Sequence, residues 1–136
     1  TFLRVIQQRG LDTATMFPWS PNDGEANINA FRFQVYAFIV ECQKYGVKPI
    51  LCTQPPAAQI TTSGNDALRV AMNQEIRAMS SSGATICDFD AVLSDGASLA
   101  RFAAGMSNGD NVHPSAAGHA AMDAVYRGAI RQALHI

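Results

Sequence analysis

An acid and an imidazole stand three residues apart in Asp110-Asn111-Val112-His113-Pro114-Ser115. If the backbone between them turns, the carboxylate can hold one ring nitrogen and leave the other to take a proton from a nucleophile. That is the general-base half of a nucleophilic hydrolase. Pro114 is incompatible with an arriving helix, and the alanine-rich run that follows starts a new one. The pair therefore sits on a loop whose backbone is anchored by the next helix. The competing reading is a helix N-cap by Asp110 or Ser115 beside an exposed His113.

A second candidate lies far upstream, in Trp19-Ser20-Pro21-Asn22-Asp23-Gly24. The Asn22 side-chain amide could donate to a developing oxyanion, a contribution of about 3 kcal/mol to a transition state. An ordinary turn asparagine is the alternative. Trp19 and Ser20 adjoin it as candidate substrate-binding residues, Trp19 by stacking, although packing explains a tryptophan equally well. A metal site built from Asp110, His113 and His119 is disfavoured, because positions six apart do not share a helix face. The reading therefore includes neither a metal nor a cofactor.

These loops need elements to position them. Residues 3–9 suit a short helix stopped at Gly10, and Asp12 to Phe17 a strand closed by Pro18. Ile28, Phe31, Val35, Phe38, Ile39 and Cys42 form a helical stripe ending at Gly46. Val47 to Thr53 reads as a buried strand, closed by Gln54-Pro55-Pro56, and 57–65 as a loop. Leu68, Met72, Ile76 and Met79 mark a second helix stopped near Gly83. Thr85 to Phe89 is a further short strand. A helical turn is expected around Ala91-Val92-Leu93, and Arg101, Phe102 and Met106 are candidates for a pocket wall or for loop packing. Ala117, Ala121, Val125 and Ala129 mark the final helix. Strand and helix alternate, which implies a parallel sheet with helices on its faces and chemistry at the carboxyl ends of its strands.

Composition agrees. The chain has 136 residues, 48% hydrophobic and 15% charged, with net charge −1, enough for one domain with a core. Nothing in that balance favours nucleic acid or an anionic membrane surface as a partner. The apolar stretches are too short and interrupted to span a bilayer. Cys42, Cys52 and Cys87 fit no zinc or redox spacing, and all lie in apolar segments as small buried hydrophobes.

Taken together, the blocks Ser20-Pro21-Asn22-Asp23 after a strand and Asp110-Asn111-Val112-His113-Pro114 before the last helix resemble the SGNH (GDSL-type) hydrolase family. Ser20 stands where the family usually has Gly. Ser115-Ala116-Ala117-Gly118-His119, the strand Val47–Thr53 with its Pro-containing loop, Asn73 in a helix and Asp88 at a strand end are also similar. The resemblance implies a flavodoxin-like, three-layer α/β/α sandwich, and serine ester hydrolysis without a cofactor. His113 would be the base, Asp110 its orienting acid and Asn22 an oxyanion donor. The substrate would be a small ester, with a weak lean towards acetyl or a short acyl group on a carbohydrate. The family also favours an extracellular or periplasmic setting.

The resemblance spans nearly the whole chain but not the whole family domain. Neither the Gly-Asp-Ser nucleophile block nor the oxyanion-glycine block is present. Gly64-Asn65-Asp66 reads as a loop and helix cap, and there is no Gly-x-Ser-x-Gly elbow. The expectation is that residues 1–136 form the C-terminal part of one domain. Its N-terminal segment, carrying the nucleophile and further strands, would be encoded upstream, cleaved away or present as a separate chain. A non-catalytic carbohydrate-binding or structural domain on the same fold is the alternative. A nucleotide-binding flavodoxin-like domain lacks a glycine-rich phosphate loop. The reading frame preceding Thr1 tests the expectation: it should encode a Gly-Asp-Ser strand–turn–helix, and a frame without one would overturn it.

Overall fold

The computed structural model describes residues 12–17, 28–56, 63–97 and 101–136. The expected helix over 3–9 and the Trp19–Gly24 loop lie outside them. Three strands, β1 (Thr13–Met16), β2 (Lys48–Cys52) and β3 (Thr85–Cys87), form a parallel sheet in the order β1-β2-β3. Thr15 pairs with Ile50, and Ile50 with Thr85. Helices α1 (Ile28–Lys44) and α2 (Ser63–Ala78) form the two crossovers, a 3₁₀ turn over Met79–Ser82 extends α2, and α3 (Phe89–Leu93) and α4 (Ala116–Leu134) follow β3.

Alternation along β2 assigns the layers. Successive side chains of a strand point to opposite faces. Leu51 packs with Phe31, Val35 and Ile39 of α1 and with Met72 and Ile76 of α2. Ile50 and Cys52 pack instead with Ala129 and Ala133 of α4, together with Cys87, Phe89 and Leu93. The central strand is buried on both sides and the expected three-layer sandwich is present. The stripe on α1 buries Phe31, Val35, Ile39 and Cys42. Its end is a Schellman turn: Val47 N–H donates to Cys42 O and Gly46 N–H to Gln43 O. Gly46 occupies the left-handed region at φ 67° that this turn requires.

Some boundaries differ from the sequence expectation. Gly64-Asn65-Asp66 lies within the first turn of α2, so the preceding loop ends before Ser63. The strand expected over Thr85–Phe89 stops at Cys87, because Asp88 caps α3 by accepting from Ala91 N–H. Ala117 is exposed. The packed face of α4 runs through Gly118, Met122, Val125, Tyr126, Ala129 and Ala133. In a helix this rich in alanine, several faces have similar apolar character, and the larger Met122, Tyr126 and Ile130 decide which one packs. Phe102 is buried in the α4-side core rather than lining a pocket, and Arg101 is exposed.

A polar stripe accompanies the apolar one on α2. Asp66, Arg69, Asn73 and Arg77 recur at steps of three, four and four. Arg69 is 1% exposed, as is Asp66, and Asn73 is fully buried. Arg69 donates to Asp66 and to Asp90, and Arg77 donates to both Asp88 and Asp90. Thr53 Oγ1 donates to Asp88 Oδ1 and accepts from Asp90 N–H, each at 2.9 Å. The network ties α2 to the segments just beyond β2 and β3. A buried guanidinium is tolerated only when paired and hydrogen-bonded, and removing it strands the carboxylates it neutralised. Arg69→Ala should therefore destabilise the fold by about 3–5 kcal/mol, as read by the denaturation midpoint. An effect under about 1 kcal/mol would show that the network is dispensable.

Candidate active site

The Asp110–His113 loop is built by local hydrogen bonds between Gly105 and Gly118. Ser115 N–H donates to Met106 O at 2.7 Å, and Ser115 Oγ donates to Gly105 O at 2.6 Å while accepting from Gly118 N–H at 3.1 Å. Ser115 thus caps α4 and closes the loop base with the same hydroxyl. Ser107 and Pro114 form an antiparallel bridge, and Asn108 N–H donates to His113 O. Gly118 is required by close approach: a Cβ there would lie 2.4 Å from Met106 O and 2.9 Å from Pro114 Cβ.

Within this frame Asp110 has two tasks. Its Oδ1 accepts from the backbone N–H groups of Val112 and His113, both at 2.8 Å. Its Oδ2 lies 2.7 Å from His113 Nδ1. Asn111, at φ 55°, occupies the left-handed region that asparagine tolerates better than most side chains, and this reverses the chain between acid and imidazole. Because a carboxylate only accepts, Nδ1 carries the proton and Nε2 is the basic nitrogen. The imidazole is 70% exposed. Among the described residues, Asp110 alone contacts its ring by hydrogen bond.

The His113 ring first, then the backbone N–H groups of His113 and Val112, hold the Asp110 carboxyl well below the usual carboxylate range. A depressed acid stabilises the fold above its unfolded pKa and loses that contribution only as pH falls through the folded value. Asp110 therefore remains an orienting anion throughout the range in which an imidazole titrates.

The loop lies at the edge of the sheet where chemistry is expected. A helix returning across a parallel sheet runs antiparallel to the strands, which puts the N-terminus of α4 at their carboxyl ends. Phe17, just past β1, stacks on Phe89, just past β3, with centroids 6.2 Å apart. Thr15 and Tyr126 hydroxyls hydrogen-bond at 2.8 Å, linking β1 to α4. Asn22, Trp19 and Ser20 lie outside the described residues, so the structure brings together Asp110 and His113 only. Asn73 and Asp88, singled out by resemblance, belong to the buried network. His119 and His135 are both exposed. Sequence reasoning missed Arg69, Arg77, Asp90 and Thr53. The polar spacing on α2 was the available signal.

The architecture is a parallel three-layer α/β/α sandwich with an Asp–His loop feeding its last helix. Among solved structures, the chain is similar to a GDSL-like lipase from Bacteroides thetaiotaomicron, with a TM-score of 0.74 and 16% identity over 97% of this chain and 70% of that one. It is also similar to a protein with a provisional acylhydrolase assignment from Bacteroides fragilis, with a TM-score of 0.71 and 18% identity over 98% of this chain and 69% of that one. No protein-family model and no curated protein matches the sequence.

The loop geometry makes a graded expectation. Gly118→Ala should displace Met106 and Pro114 and cost about 1–3 kcal/mol of stability. Asp110→Asn, which keeps an oxygen for the backbone turn, should free the ring and forfeit only the contribution of the ionised carboxyl. Thermal denaturation checks the first and the His113 ring resonances the second. An unchanged melting point for Gly118→Ala, or unchanged ring resonances for Asp110→Asn, would contradict this account.

Proposed function

We propose that this chain supplies the base, its orienting acid and an oxyanion donor to a serine ester hydrolase. The observation that carries the reading is the 2.7 Å contact between His113 Nδ1 and Asp110 Oδ2, with the imidazole exposed beside it. His113 Nε2 takes the proton of a serine hydroxyl as that oxygen attacks the ester carbonyl. Asp110 fixes the imidazole and stabilises its protonated form without itself becoming protonated. Asn22 donates to the oxyanion. His113 then protonates the departing alcohol, and water attacks the acyl-enzyme by the same route in reverse.

The serine comes from an N-terminal segment of the same domain, carried on the same polypeptide or on a separate chain. Among the described residues, β1 has β2 as its single neighbour, and such a segment would pair along its other edge. Two solved proteins of this fold bear lipase and acylhydrolase descriptions, which supports ester chemistry. A small acyl group, such as acetyl on a carbohydrate, is the substrate favoured here.

A fluorophosphonate should label one serine of the complete protein, and His113→Ala should slow labelling by roughly 10²-fold or more. The acid limb of kcat/KM should carry no ionisation of Asp110, whose carboxyl is held well below the usual carboxylate range. Labelling that is absent from the complete protein, or indifferent to His113→Ala, would favour a carbohydrate-binding or structural domain instead.

A further inference from the structure

Cys52 and Cys87 fit no sequence spacing, yet the sheet brings them together. Each is the last residue of its strand, and the parallel register of β2 and β3 sets them directly opposite each other. Residues paired in register point to the same face of a sheet. Both join the cluster packed against α4, and both are closed to solvent. Neighbouring strands lie about 4.8 Å apart, inside the Cα separation of about 4.4–6.8 Å that a disulfide spans. The thiols are close enough to hydrogen-bond to each other. The next rung is clamped as well: Thr53 N–H donates to Cys87 O at 3.1 Å, and Thr53 Oγ1 donates to Asp88. Cys42 lies elsewhere, with Ala14 and Val47, and burial pushes its thiol up to about 11.

We infer that Cys52 and Cys87 form a two-thiol oxidation site, which a hydroperoxide closes to a disulfide joining the ends of β2 and β3. The inference stands independently of the hydrolase reading. Burial alone would leave the pair inert, but each thiol modifies the other. Cys52 S–H donates to Cys87, which lowers the Cys87 thiol and raises that of Cys52. Cys87 is therefore the thiolate that attacks. Its sulfur takes one oxygen of hydrogen peroxide as the O–O bond breaks, and the other oxygen leaves as water. Cys52 sulfur then attacks Cys87 sulfur, the S–O bond breaks, and a second water departs with the Cys52 proton. The two thiols together lose two electrons and two protons, and hydrogen peroxide is reduced to two waters. Access comes from local opening: β3 is three residues long and, among the described residues, pairs with β2 alone. The bond would enclose α2 in a covalent ring and sit one residue before the Thr53–Asp88 contact.

The test treats the complete protein with hydrogen peroxide, removes the excess with catalase, alkylates in denaturant and maps the thiols by mass spectrometry. Cys52 and Cys87 should lose alkylation together, at least about tenfold faster than Cys42, and should appear as one linked pair of peptides. Dithiothreitol should restore both. Cys52→Ala should instead leave Cys87 as a sulfenic acid that dimedone traps, and Cys87→Ala should leave Cys52 reduced. Protein already linked as isolated supports the site equally. Loss of all three thiols at one rate, a link that includes Cys42 or a second molecule, or a product that dithiothreitol does not reverse would overturn the inference. So would full retention of both thiols at peroxide exposures that oxidise free cysteine.

Discussion

The site depends on a division of labour within one carboxylate. Asp110 Oδ1 is committed to two backbone N–H groups and Oδ2 to the His113 ring. The same group therefore folds the turn and orients the ring, so turn geometry and ring geometry cannot drift apart. A carboxylate receiving three hydrogen bonds stays ionised. Since both residues are exposed, this rigidity comes from local geometry rather than from burial.

What holds the turn is in turn local. Ser115 ties the N-terminus of α4 to Gly105 and Met106, and the tight packing of Gly118 against Met106 and Pro114 leaves no room for a side chain. From there α4 crosses the sheet, burying Ala129 and Ala133 against Ile50 and Cys52 and meeting β1 through Tyr126 and Thr15. Small residues on α4 allow close approach to the sheet, and the position of the loop follows from that packing. The other face is organised differently. There, α2 combines an apolar stripe against Leu51 with a charged one against the strand ends.

Much of this was legible in the sequence because it rests on periodicity and turn chemistry. The stripe Phe31-Val35-Ile39-Cys42, the stop at Gly46 and the Asp–His spacing each have a local cause, and each element formed where that cause placed it. The face of α4 was less legible. Ala117, Ala121, Val125 and Ala129 mark a helix without marking its buried side, which was decided by the partners that Met122 and Tyr126 find across the chain. The Arg69 network was read only at Asn73 and Asp88, and there by resemblance. Its arginines appear polar and therefore exposed when taken singly. Asp66, three residues before Arg69 on α2, was a local signal, whereas Asp88 and Asp90 lie on another element, 11 to 21 residues from the arginines they pair with.

The two polar systems divide along the same edge of the sheet. The Asp110–His113 pair is exposed; the α2 network runs from buried Asp66 and Arg69 to half-buried Arg77, Asp88 and Asp90, and its charges are committed to each other. Paired buried charges add little net stability compared with apolar packing, so their value lies in fixing one arrangement over others. At a sheet edge, apolar packing gives way to loops, and loops carry backbone groups that must be satisfied. Here α2 supplies the partners from its own side chains: Asn73 and Arg69 bond the backbone of Gln54, and Thr53, just past the central strand, bonds Asp88 and Asp90.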